Sequence, residues 1–381
     1  MAVSSGQIPV IDISGTKSDA DVADELVQAA STYGFVYVKN EGKDIPVKEI
    51  DHIFDVSRKF FSSPEEEKAQ CKIGENNRGW SGMHTETLDA KNQKYCRLHK
   101  LISYSAWRFQ RRAQLITNSH RAMNFGEFVD GKAQQPLPPS LINHEADLNK
   151  FHNSCHDVMQ KILRLFSIGL KIDQEAGGSD WIPSRHRDGP SGCTLRLLHY
   201  PSIPSDSDYD PTVDIRAGAH SDYGSITLLF QRPGQPGLEI IPPETRSEER
   251  NFGPTAAWTP VPVSPQGTEN DPSPPILVNI GDLLSHWTNN LLKSTVHRVV
   301  FPKDGRQDGE DRYSIAYFGH PVGSTVLEPI PSEMVRKLQG AGGTGVKAMT
   351  ADEHLMSRLK ATYLGMYKDG GGEKDEKITS P

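Results

Sequence analysis

Apolar residues recur along the chain at two different spacings, and each spacing names its own kind of element. From Leu148 to Ile172, the residues Leu148, Phe151, Cys155, Val158, Ile162, Leu165 and Ile168 come three and four apart. That spacing lays them along one face of a long helix with a buried stripe. Upstream, "IPVIDIS" reads as a short strand, and "SDADVADELVQAASTY" as a helix opened by Ser18 and Asp21 at capping-box spacing and ended by Gly34. "GFVYVKN" returns as a strand, after which Pro46 opens a second helix through "VKEIDHIFDVSRKFF", with Ile50, Phe54 and Phe60 or Phe61 toward one face. Beyond the long helix the texture changes to short β-rich runs, "CTLRLLHY", "TVDIRAGA", "SITLLFQ", "GLEII", "ILVNI", "VHRVVF" and "RYSIAYF", set apart by Gly, Pro, Asn and Asp turns. Such a series predicts a sandwich or jelly roll. Near the end, "TADEHLMSRLKATYL" places Thr350 and Glu353 as a second capping box, with Leu355, Leu359 and Tyr363 on one stripe. The reading is an α+β chain with a mainly β core flanked by helices, one long helix before that core and one after it.

Composition narrows the class of protein. With 381 residues, 33 Gly and 27 Pro, the chain is long enough for an ample core and rich in turns. A formal charge of −7 lacks the basic field that phosphate backbones attract, so no nucleic-acid partner is expected. Cys71, Cys96, Cys155 and Cys193 are far apart with no C-x-x-C pair, which points to a reducing compartment and away from a disulfide framework or zinc ribbon. No apolar run reaches the length of a membrane span, so the expectation is a soluble, cytoplasmic protein with no membrane partner.

Chemistry enters at "AHSDYGSITLLF". His220 and Asp222 stand two apart, so in an extended strand their side chains leave from one face and reach one ion. Alone, the pair is better explained by a solvated histidine beside a carboxylate. Downstream, His297 lies in the β-branched run "LLKSTVHRVVF" and can project from another strand toward the same point. Two imidazoles and a carboxylate make the facial triad that holds Fe(II) and leaves positions open for substrate and dioxygen. In "DRYSIAYF", Arg312 and Ser314 share a strand face. A buried guanidinium needs an anion, and a dicarboxylate co-substrate supplies one; pairing with Asp311 or Glu310 at the surface is the alternative.

Taken in order, "AHSDYGSITLL", "ILVNIGDLLSHWTNNLLKSTVHRVV" and "RYSIAYF" resemble the isopenicillin N synthase-like branch of the Fe(II)/2-oxoglutarate-dependent dioxygenases. The leader elements "IPVIDIS", "YGFVYVKN" and "KFFSSPEEEK" are similar to the same family, so the resemblance covers most of the chain. It implies a double-stranded β-helix with helices outside it. It also implies that His220, Asp222 and His297 hold iron, and that Arg312 and Ser314 take the distal carboxylate of 2-oxoglutarate with help from Tyr200 of "LLHYP". The implied reaction consumes dioxygen and 2-oxoglutarate, releases succinate and CO2, and hydroxylates, desaturates or cyclises a small organic substrate. Two other readings stand beside it: an oxidase like isopenicillin N synthase, which needs no 2-oxoglutarate, and a binding protein with impaired catalysis.

The chain also departs from the family pattern. Leu198 replaces the asparagine common two residues before the tyrosine, and Glu41 replaces the histidine of a usual "NHG". Arg78, Trp80, Met83 and His84 lie in a stretch that often covers the family's active-site mouth, though a surface loop with one anchored tryptophan fits as well. Phe318 shares the face of Ser314 and is either pocket or core. From Tyr95 to Arg121 the resemblance is interrupted by about 27 residues with six Lys/Arg and no Asp/Glu; the remainder holds 36 basic against 49 acidic residues. Extra coding sequence explains this segment better than a functional basic helix, because both flanks resume the family pattern. The expected organisation is a mixed α/β region over 1–180 that carries this insert, the dioxygenase core over 181–330, and a C-terminal helix with a mobile tail over 331–381.

Overall fold

Alternation along each strand sorts its side chains into two layers. The structure, a computed structural model, describes residues 7–82, 120–187, 189–202, 215–243, 256–301, 311–338 and 349–362. Strands β1 (Val10–Ile11), β2 (Phe35–Val38), β12 (Ile276–Ile280), β9 (Ile226–Gln231), β14 (Arg312–Gly319), β7 (Thr194–Tyr200), β4 (Arg121–Phe125) and β3 (Gly79–Ser81) lie in that order in an eight-stranded sheet. β1 and β2 pair in parallel, and the other neighbours in that sheet are antiparallel. A four-stranded sheet carries β11 (Thr259–Pro260), β10 (Leu238–Ile240), β13 (His297–Val300) and β8 (Ile215–His220) in that order. β5 (Phe128–Val129) and β6 (Lys132–Ala133) form a separate hairpin.

On the large sheet, Leu198, Leu277 and Ala316 point inward and meet Ala217, Leu238 and Val299 of the smaller sheet in one apolar cluster. Their sequence neighbours Leu197, Val278 and Ile315 point outward into a larger cluster shared with the helices. This is the two-layered packing of a double-stranded β-helix, and it produces the alternation seen in each run.

The predicted helices are present, with their caps. Asp19–Thr32 begins at Ser18, whose hydroxyl accepts from the Asp21 N–H, and Gly34 (φ 68°) ends it in a left-handed turn. Val47–Ser62 follows Pro46 and buries Ile50, Phe54 and both Phe60 and Phe61. The long helix runs Glu145–Gly169, so it stops before the expected Ile172: Lys171 (φ 53°) turns the chain, and Ile172 bridges to Ser332. Ala351–Thr362 is the C-terminal helix, with the Thr350 N–H donating to Glu353 Oε2 at 2.8 Å and the Glu353 N–H to Thr350 Oγ1 at 3.3 Å. Tyr363 lies outside the described residues, as does the segment from Tyr95 to Arg121 apart from its last two residues, His120 and Arg121.

Candidate active site

β8 and β13 run antiparallel with His220 opposite His297, so the strand register itself brings the two imidazoles together. Asp222 does not share their strand. β8 ends at His220, and Asp222 stands just beyond, where its carbonyl accepts the Asp282 N–H at 2.7 Å. The ligand-capable atoms of the three residues lie within 4.8 Å of one another. Asp222 Oδ1 is 4.0 Å from His220 Nε2 and 3.7 Å from His297 Nε2.

The far side of each group is already committed. His220 Nδ1 lies 2.7 Å from the Gly218 carbonyl and His297 Nδ1 lies 3.1 Å from that of Thr295. A carbonyl only accepts, so Nδ1 carries the proton in both rings and Nε2 keeps its lone pair. Asp222 Oδ2 accepts from Thr227 Oγ1 at 2.6 Å and from Asn279 Nδ2 at 2.7 Å. Thr227 and Asn279 are direct cross-strand partners on β9 and β12, so one rung of the sheet holds the carboxylate and leaves Oδ1 facing the imidazoles. Burial and then the His297 imidazole push His220 down to about 4, which favours the neutral, ligating form. Burial opposes the charge on Asp222, but the two histidines and the two hydrogen bonds outweigh it and hold the carboxyl below its usual range. Three donors with their outer atoms satisfied and their inner lone pairs convergent fit a divalent metal ion.

Arg312 is buried, 2% exposed, on β14. Its Nη1 donates to Ser314 Oγ, its Nη2 to Gln231 Oε1 and its Nε to the Gln235 carbonyl, each at 3.2 Å, and its guanidinium lies 4.8 Å above the Tyr200 ring. All of these partners are neutral. Asp311, the carboxylate considered from sequence, instead lies 2.7 Å from His199 Nε2 and accepts the Ser202 N–H. Among the described residues no carboxylate pairs with Arg312, and burial lowers its pKa from the ordinary value.

A cavity opens beside the three ligand candidates. Leu198, Tyr200 and Phe318 line it, together with His120, Arg196 and His320. Phe318 is thus pocket, as its strand face allowed. Trp80 is core and Arg78 lies against Gly126, while Met83 and His84 fall outside the described residues. Glu41 pairs with Lys39 and Lys43 and has no part in the site. Two residues of the C-terminal helix, Leu355 and Leu359, complete the wall. Sequence reasoning missed Thr227, Asn279, Gln231, Gln235 and His320. An asparagine inside the otherwise apolar "ILVNI" was a usable signal for one of them; the others look like ordinary polar ends of strands.

Comparison with known proteins agrees with this geometry. Residues 192–321 match the model of the 2OG-Fe(II) oxygenase superfamily, and residues 8–118 match that of the non-haem dioxygenase in morphine synthesis N-terminal region. A UPF0676 protein of Schizosaccharomyces pombe is 34% identical over 96% of this chain and 98% of its own. The 2-oxoglutarate-dependent dioxygenase htyE of Aspergillus rugulosus is 32% identical over 81% of this chain and 84% of its own. The chain belongs to the 2OG-Fe(II) oxygenases, in their isopenicillin N synthase-like branch. Among solved members of the fold, a full-length Neurospora crassa protein in complex with alpha-KG and thymine superposes with a TM-score of 0.70 at 28% identity, covering 94% of this chain and 98% of that one.

Membership in this superfamily makes the chain an oxidoreductase that uses Fe(II), 2-oxoglutarate and dioxygen. The jelly roll expected from the β-rich runs is the family's core. No helix among the described residues is long and apolar enough to cross a membrane.

Proposed function

We propose that His220, Asp222 and His297 hold the Fe(II) of this oxygenase, and that Arg312 and Ser314, backed by Tyr200, hold the distal carboxylate of 2-oxoglutarate. The observation that carries the reading is the pairing of two incomplete groups in one barrel. One is a convergent set of two Nε2 atoms and one carboxylate oxygen, and the other is a buried guanidinium whose described partners are all neutral. A dicarboxylate that chelates the metal at one end answers both needs. Iron, when bound, couples oxidative decarboxylation of 2-oxoglutarate to oxidation of a carbon on the substrate. The protein's own share is to fix both imidazoles in the Nδ1–H tautomer, to keep Asp222 ionised through Thr227 and Asn279, and to orient 2-oxoglutarate by its far end.

The substrate is a small organic molecule, seated between Phe318 and the C-terminal helix. Among the described residues neither ring nitrogen of the buried His320 has a hydrogen-bond partner, so it is where a polar group on that molecule is read. A nucleobase-sized ligand, such as the thymine bound in the Neurospora protein, is of the class this pocket takes. A nucleic-acid polymer is not proposed, and the expected setting is the cytoplasm. The test is anaerobic addition of 2-oxoglutarate to Fe(II)-loaded protein. A weak visible charge-transfer band is expected; its absence in protein shown to contain iron rejects the assignment. Oxygen uptake that requires 2-oxoglutarate excludes the oxidase reading.

A further inference from the structure

Away from this cavity, a second group of two histidines and one carboxylate comes together where two helices meet. His52 sits on helix Val47–Ser62, His144 immediately precedes the long helix, and Asp147 lies in that helix's first turn. Their ligand-capable atoms are within 4.8 Å of one another. Asp147 Oδ2 is 2.8 Å from His52 Nε2 and 3.4 Å from His144 Nδ1, and the two imidazole rings stand 5.6 Å apart at 64°. A tetrahedral ion with bonds of ~2.0–2.1 Å to nitrogen and oxygen spaces its ligands roughly 3.3 Å apart. The observed separations bracket that value, so small side-chain rotations bring all three donors onto one ion.

Neighbouring contacts hold the two helices in this register without any ion. Glu49, one turn before His52, accepts from Ser154 Oγ at 2.9 Å and pairs with Lys150 Nζ at 2.7 Å, both on the long helix. The ligand set is therefore preorganised, and metal binding need not assemble it. The side chains are 44%, 22% and 47% exposed for His52, His144 and Asp147, which leaves water access to the remaining coordination position.

We propose that His52, His144 and Asp147 form a second metal site, taken by Zn(II) with water completing its shell, which staples helix Val47–Ser62 to the start of the long helix. Zinc is the ion because a mixed imidazole and carboxylate set binds it more tightly than Fe(II), and because none of these three residues lines the cavity beside His220 and Asp222, where a substrate would sit. The site has a structural task, and the donor set alone does not make it an oxygenase centre.

Zn(II) titration against a chromophoric chelator tests this in the full chain, comparing wild type with His52→Ala, Asp147→Asn and His220→Ala. His52→Ala and Asp147→Asn should each bind one equivalent fewer than wild type, while their Fe(II)- and 2-oxoglutarate-dependent activity stays at the wild-type level. In the His220→Ala background, Zn(II) should raise the melting temperature by several degrees, and adding His52→Ala should remove that rise. Equal stoichiometry in wild type, His52→Ala and Asp147→Asn overturns the proposal and leaves a hydrogen-bonded His–Asp cluster. A failure of the iron assignment reads differently, as His220→Ala binding as much metal as wild type.

Discussion

Asp222 divides its two oxygens between two tasks, and that division sets what its neighbours are worth. Asp222→Ala or His297→Ala removes one of the three proposed protein ligands, so turnover should be abolished and iron lost on gel filtration; full iron content with activity would refute the triad. His286→Ala is the control, since His286 lies on the short helix Asp282–Trp287 and belongs to neither candidate ligand group. Thr227→Val keeps all three ligand candidates but takes away one of the two donors to Asp222 Oδ2. Outer-shell losses of this kind reduce metal affinity or activity roughly ten- to a hundredfold, and iron-binding isotherms of Thr227→Val should fall in that range. At the other end of the co-substrate, Arg312→Gln should weaken 2-oxoglutarate binding by about 3–5 kcal/mol, a hundredfold or more, with iron binding nearly unchanged. An unaltered affinity for 2-oxoglutarate would make Arg312 structural. The ligand candidates and Arg312 were legible because chemically distinctive residues stood in strand-like runs. Thr227 was not, since a threonine in a strand is ordinary until the fold shows which oxygen it faces.

Elements explain where the rest of the site comes from. The long helices and most core strands could be read from periodicity, because each strand buries opposite faces in different layers and each helix buries one stripe; β3 and β4 could not, and β4 begins at Arg121, the last residue of the presumed insert. The order β1-β2-β12-β9-β14-β7-β4-β3 could not, since it depends on pairings between strands more than two hundred residues apart, such as β2 with β12. Nor did the stripe Leu355 and Leu359 reveal what it covers. In the structure it closes the cavity, and Arg358 between them donates to Asp282, whose carboxylate also receives Ser221 Oγ and Ser294 Oγ. The roof of the pocket is thereby tied to the segment that carries Asp222. A charge-assisted hydrogen bond of this kind contributes ~1.5–3 kcal/mol. Arg358→Ala should therefore make the C-terminal helix open about tenfold or more often, seen as faster limited proteolysis within Ala351–Thr362. Affinity for 2-oxoglutarate should hold steady. Equal cleavage rates in the variant and wild type would show that the helix is held by its leucines alone.

At the scale of the whole molecule, neutral histidines in the interior set the acid limit of stability. Burial pushes His152 and His186 down to about 4 and His320 to about 3, against an ordinary value of 6.5. Below pH 6.5 the unfolded chain takes up protons that the native protein refuses, so stability is complete above that pH and is lost as the pH falls toward 4. Melting temperatures of the metal-free protein should be level from pH 7 to 8 and fall steadily between about pH 6.5 and 4; a flat profile down to pH 4.5 would contradict it. In the proposed co-substrate site the guanidinium of Arg312 works in the opposite sense, because its environment improves when a dianion arrives. A ligand that binds only the native state at a hundred times its Kd adds about 2.7 kcal/mol to folding. That is enough to lower the unfolded fraction presented to proteases about a hundredfold. In a cell whose 2-oxoglutarate level rises and falls, the half-life of this protein should follow, so that its abundance keeps a slow record of co-substrate supply.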